Sequence, residues 1–178
     1  TQGTPHFEDG ALRWSGFAAT GAEIDVTYTV LISPCLAAGT PLVTAVTFAD
    51  EAGTGVTRPV TVTVANAAPT APHTPSPASG ATEVDTEIVL SWEPGTDPNC
   101  DTQHYTVAFG AIGQPLSIVA TDLLTPTWSL TTLEPEMEYR WVITATDGIS
   151  STASPIWSFT TKAPPKWTVF LPVVLRGE

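Results

Sequence analysis

Positive charge is scarce in this chain. Six Lys and Arg stand against 18 Asp and Glu, a net charge of -12. Nucleic-acid phosphates and anionic lipid surfaces are held by clustered Lys and Arg. The balance therefore excludes nucleic acid as a partner and argues against an anionic membrane, and it suits the solubility of a secreted protein. Cysteine is scarcer still: Cys35 and Cys100 stand alone, too few for a fold built on disulfides or for a zinc site. No apolar run is long enough to span a bilayer, so no membrane insertion is expected. His6, His73 and His104 are isolated. There is no Gly-x-Ser-x-Gly, no His-Glu-x-x-His and no glycine-rich phosphate loop, so the expectation is that the chain is not an enzyme. Glu134, Glu136 and Glu138 alternate into one solvated strip rather than pairing as catalytic carboxylates. The sequence opens mid-pattern at Thr1-Gln2-Gly3 without a leader, which reads as part of a longer extracellular protein.

What is present is Thr, Val and Ala, punctuated by 17 Pro and 13 Gly, with no sustained apolar repeat at helical spacing. That is an all-β composition. The clearest element is 133–148, LEPEMEYRWVITATDG. Tyr139, Trp141, Ile143 and Ala145 alternate with Arg140, Val142, Thr144 and Thr146, the period of a strand with one buried face. Leu133 and Pro135 form a corner before it, and Asp147-Gly148 closes it with a turn signal. A Tyr at such a corner can bury its ring and turn its hydroxyl back onto the chain upstream.

The chain divides by composition into four stretches. Residues 1–66 hold strand candidates at Ala11–Trp14, Glu23–Ile32, Leu42–Phe48 and Val56–Val64, the last two joined by a turn at 49–53. Residues 67–80, AAPTAPHTPSPASG, are a stiff Pro-rich linker. Residues 81–161 carry about seven strands at the spacing of a small sandwich, among them Glu87–Trp92, Gln103–Phe109, Leu116–Ala120, Thr127–Leu130, the Tyr139 strand and Ser154–Thr161. Residues 162–178 are a Pro hinge and an apolar tail strand, Trp167–Leu175.

Trp92, then Leu133-x-Pro135-x-x-x-Tyr139, Trp141 and the closing WSFTT resemble a fibronectin type III domain over residues ~73–161. The resemblance implies a seven-strand Greek-key sandwich used as a spacer, adhesion or accessory module, with no catalytic residues to carry over. Trp14-Ser15-Gly16, Gly21, the Ile-x-Val-x-Tyr-x-Val strand and Thr-Val-Thr-Val resemble the second half of an immunoglobulin-like conserved repeat domain of bacterial surface proteins, over about a third of the chain. The tail resembles the Leu-Pro-x-Val-Leu-Arg endings of some secreted bacterial proteins and reads as a C-terminus. The fold expectation is all-β: two tandem immunoglobulin-like β-sandwich modules, the first partial, the second a fibronectin type III domain, with an extra C-terminal strand.

Three features offer chemistry beyond the fold. Asp97, Asn99 and Asp101 place oxygens at alternate positions, as calcium loops do. In fibronectin type III domains this loop often reads Asp-Pro-Asp-Gly-Asp, so Asn99 and Cys100 are departures from that pattern, and an ordinary Asx turn is the alternative. In such a sandwich this loop lies at the pole where the chain enters, and the loop 33–40 is expected at the same pole. Cys35 and Cys100 are then candidates for a bridge that makes the two modules one rod, contributing about 4 kcal/mol by loop entropy. Two separately buried thiols are the alternative. Finally, Trp167–Leu175 either packs on its own sandwich or adds to the open edge of another copy, a route to self-association. Trp14, Trp128 and Trp167 lie off the core stripe and name no binding site. The functional expectation is a non-catalytic extracellular spacer, adhesion or protein-interaction module of a larger secreted or cell-surface protein, with a protein or glycan ligand. The alternative is an accessory C-terminal region of a secreted peptidase or glycosidase.

Overall fold

The computed structural model describes residues 2–8, 11–17, 35–49 and 55–166. All thirteen described elements are strands, and no helix among the described residues is long and apolar enough to cross a membrane. The chain groups into two compact units, Thr1–Ser33 and Pro34–Glu178. In the first, β1 (Gln2–Glu8) pairs antiparallel with β2 (Ala11–Phe17), from Gln2↔Phe17 to Glu8↔Ala11. β1 has no apolar alternation and contains Pro5, which has no N–H for a ladder, so propensity alone passes over it. The expected strands Glu23–Ile32 and Trp167–Leu175 lie outside the described residues.

The second unit joins a hairpin and a sandwich. β3 (Pro41–Ala49) and β4 (Gly55–Thr63) pair without a slip, from Pro41↔Thr63 to Ala49↔Gly55. Val46, Val56, Val60 and Val62 fall on one face, and all nine residues of β4 are exposed. The sandwich follows: β5 (His73–Ser76), β6 (Ala81–Val84), β7 (Ile88–Glu93), β8 (His104–Ala111), β9 (Ser117–Leu123), β10 (Thr127–Leu130), β11 (Glu138–Thr146), β12 (Ser151–Ala153) and β13 (Trp157–Thr161). One sheet has the order β10-β7-β5, the other β6-β13-β11-β8-β9, with β12 also on β11. This is the strand order of a fibronectin type III sandwich.

Two departures from the sequence reading have local causes. Residues 73–84, read as linker and domain start, form β5 on one sheet and β6 parallel to β13 on the other. The edge position of β5 tolerates its Pro75. The residues after the hairpin pack on the sandwich, which groups the hairpin with it in one compact unit from Pro34. The last strand, read as continuous over 154–161, is broken. Ser154 donates its N–H to the Ile143 carbonyl (2.8 Å) while its hydroxyl accepts the Ile143 N–H (3.0 Å). The side chain thus replaces a ladder bond, and Ile156 turns outward at 59% exposure while Trp157 is buried.

The core lies between the sheets. β11 alternates half-buried and buried throughout, placing Tyr139, Trp141, Ile143 and Ala145 inside beside Leu90, Trp92, Tyr105, Val107, Trp157 and Phe159. Trp141 packs edge-on against Trp157 (4.7 Å between centroids), and Tyr139 stacks on Phe109 (5.1 Å). Trp128 packs half-buried against this cluster rather than standing off it. At roughly 1.5–3 kcal/mol per fully buried large apolar side chain, this layer supplies the main drive to fold. The Tyr139 hydroxyl accepts the Glu134 N–H at 2.9 Å, and the Leu133 N–H donates to the Thr86 carbonyl at 3.0 Å. Together they tie the corner before β11 to the rest of the sandwich.

Candidate functional site

The densest polar cluster among the described residues is a joint, where the loop after β7, the loop after β11 and the two ends of the hairpin meet. It begins with Asp97. Its Oδ1 accepts the N–H groups of Asn99 (2.8 Å) and Asp101 (3.3 Å), and its carbonyl accepts the Cys100 N–H (3.0 Å). This Asx turn holds Cys100 at φ 59°, a left-handed conformation that glycine adopts most easily. The turn presents Cys100 to Cys35, itself at φ 70°. The two are bonded, with Cα atoms 4.7 Å apart across 65 positions of sequence.

Asn99 sits behind the bridge at 8% exposure. Its amide donates to the carbonyls of Leu36 (2.9 Å) and Ala65 (3.3 Å), and its Oδ1 accepts the Ala67 N–H (2.7 Å). One buried side chain thus grips both the entry and the exit of the hairpin, satisfying backbone groups that would otherwise cost about 1–3 kcal/mol each. Asn66, one residue earlier, donates to Asp147 Oδ2 (2.9 Å) and Ser150 Oγ (3.0 Å) in the loop after β11. The Ser150 N–H, followed by the Asn66 amide, holds the Asp147 carboxyl below the usual carboxylate range.

The Pro-rich stretch continues the seam. The Thr70 N–H donates to the Thr96 carbonyl (2.9 Å), the Thr96 N–H to Thr70 Oγ1 (2.7 Å), and Pro69 and Pro72 are fully buried. Gly95 makes this approach possible: a Cβ there would lie 1.9 Å from the Thr70 carbonyl oxygen. The stiff linker expected from composition is therefore a packed strip on the sandwich pole.

The residues singled out for calcium fall in this joint with other work to do. Asn99 turns its oxygen to Ala67, Asp97 Oδ1 caps the turn, and Asp101 Oδ2 lies 3.5 Å from the Ala38 N–H. Asp97 Oδ2 is buried with no hydrogen-bond partner among the described residues. No group of three or more His, Cys, Asp or Glu placed to hold a metal occurs among the described residues. Two of the three histidines each pair with an acid: His73 with Glu93 (3.3 Å) and His104 with Asp122. Two shallow openings, of about 320 and 180 Å³, lie away from the joint. The first is lined by Glu87, Ile88, Val89, Ser129, Leu130 and Thr131. The second lies where the chain leaves the sandwich, at Leu133, Pro135 and Lys162–Pro165.

Sequence reasoning missed Asn66 and Gly95, read Asp147 only as part of a turn, and did not foresee the backbone partners of Asn99. The departure of Asn99-Cys100 from the Asp-Gly of the fibronectin type III pattern that the stretch resembles was the available signal. A Cys at a glycine position is a costly choice unless the sulfur has a use.

No protein-family model matches the sequence, and no curated protein matches it. Among solved structures, similarity is found to domains d3–d4 of the rat CD45 extracellular region (12% identity, 88% of this chain and 93% of that one, TM-score 0.48). It is also found to the FN1–FN3 domains of chicken CNTN1 (17%, 67% and 44%, TM-score 0.44) and to an Fn3-like protein from Clostridium thermocellum (19%, 56% and 100%, TM-score 0.40).

Proposed function

We propose that this chain is a non-catalytic extracellular spacer and interaction module of a larger secreted or cell-surface protein. The joint carries the reading. A covalent bond and the three contacts of Asn99 attach a β-hairpin to one pole of a sandwich, an arrangement that sets the orientation of one element on another. A flexible tether would need neither. The bridge also favours an oxidising compartment outside the cytosol. The pole loops that hold the joint are engaged within the chain, so a protein or glycan ligand would meet the sheet faces, the edges or the opposite pole.

Residual dipolar couplings measured on the full chain test the reading. Amides of β3 and β4 are expected to fit one alignment tensor with those of β7, β8 and β11. Two independent tensors would overturn it. Glycan and peptide arrays probed with the same protein address the ligand, and binding retained after blocking the joint loops with an antibody is the expected pattern.

A further inference from the structure

We infer that the Cys35–Cys100 bond is the load path of this module: tension along the chain bypasses residues 36–99 and is borne in shear by β8, β11 and β13. The inference deepens the spacer reading and rests on it. Tension arriving from the N-terminal side reaches Cys35, crosses the bond to Cys100 and enters β8 at His104. It leaves through β13 at Thr161. Everything between the cysteines, including the hairpin, β5, β6 and β7, lies inside the covalent loop and feels no pull.

The sheet geometry then decides how the load is carried. β8 and β13 flank β11, each antiparallel to it, and so run parallel to one another. His104 pairs with Thr146 at one end of β11, and Thr160 pairs with Glu138 at the other. The two points of loading lie at opposite ends of a three-strand stack. Ladder bonds of antiparallel pairs are perpendicular to the strands, so this pull strains many of them together. Without the bond the path changes. Load would enter at Pro41 and leave at Thr63, which are paired across the open end of the hairpin. That pull separates one pair at a time, beginning with Pro41↔Thr63, and opens the hairpin first.

Optical-tweezers extension of the full chain, held by its termini, tests this with the bond intact and after treatment with dithiothreitol. The dithiol breaks the S–S bond to two thiols and itself closes to a cyclic disulfide. With the bond intact, the β1–β2 hairpin, loaded across its open pair Gln2↔Phe17 in either redox state, is expected to give one low-force step, and the β3–β4 hairpin none, before the sandwich opens. After reduction, a second low-force step, from β3–β4, should precede that opening. The total gain in length should rise by about 230 Å, the sequence separation of 65 at roughly 3.6 Å per step. Cys35→Ser should reproduce the reduced trace. Coincident traces before and after reduction, or opening of the β3–β4 hairpin with the bond intact, overturn the inference. Failure of the spacer reading looks different: two alignment tensors for hairpin and sandwich, with the length difference unchanged.

Discussion

The side-chain amide of Asn99 donates to the carbonyl of Leu36 at 2.9 Å across 63 positions of sequence, one residue beyond Cys35 on one side and one short of Cys100 on the other. The hydrogen bond and the disulfide therefore clamp the same two backbone segments from adjacent positions. The bond fixes their separation, and the amide, with its second donation to Ala65, fixes their orientation.

That division of labour predicts the behaviour of Asn99→Ala. The Leu36 and Ala65 carbonyls and the Ala67 N–H lose their partner, while the disulfide keeps the segments together. A loss of about 2–3 kcal/mol is expected from urea unfolding followed by circular dichroism, at the scale of unsatisfied buried polar groups. Asn99→Asp should lose at least as much, since it sets a carboxylate against two carbonyl oxygens.

Cys100 separates bridge from backbone. Cys100→Ser removes the bond and should cost about 4 kcal/mol under the chain-entropy account of a loop this long. Cys100→Gly loses the same bond but relieves a side chain held at φ 59°. It should therefore be more stable than Cys100→Ser by about 0.5–1 kcal/mol. Paired thermal melts decide this, and equal midpoints would count against the backbone argument.

Acid should loosen the contact between Asn66 and the loop after β11. The folded-state pKa of Asp147 is depressed, chiefly by the Ser150 N–H and then by Asn66. A group of this kind supports the fold above its unfolded pKa and withdraws that support as pH falls through the folded value. The Asn66 side-chain NMR signals should thus hold constant from neutral pH to the ordinary Asp range and move only below it. Asp147→Asn should abolish that movement. A shift centred near pH 6 would assign the titration to another group.

Calcium is the fourth test. With Asn99 turned to Ala67 and Asp97 Oδ1 capping the turn, the loop already has partners for most of its oxygens. Thermal melting with and without millimolar calcium is expected to give the same midpoint. A rise, abolished by Asp97→Asn, would show that Asp97 and Asp101 turn to a cation instead.

The sandwich was legible because its signals are local. A strand with one buried face must alternate, so Tyr139 to Ala145 declared their own inward positions, and the Leu-x-Pro corner declared the Tyr139 hydroxyl bond. Composition alone pointed to a chain built from strands, with few Lys and Arg among many Asp and Glu. The joint was legible only in outline. Which backbone atoms Asn99 would hold, that Gly95 must lack a side chain because Thr70 passes within contact, and that Asn66 would meet Asp147 are all matters of distance between segments far apart in sequence. Residue type states what a side chain can bond to. Only the folded pole, by bringing two loops and both ends of a hairpin together, selects which bond it makes.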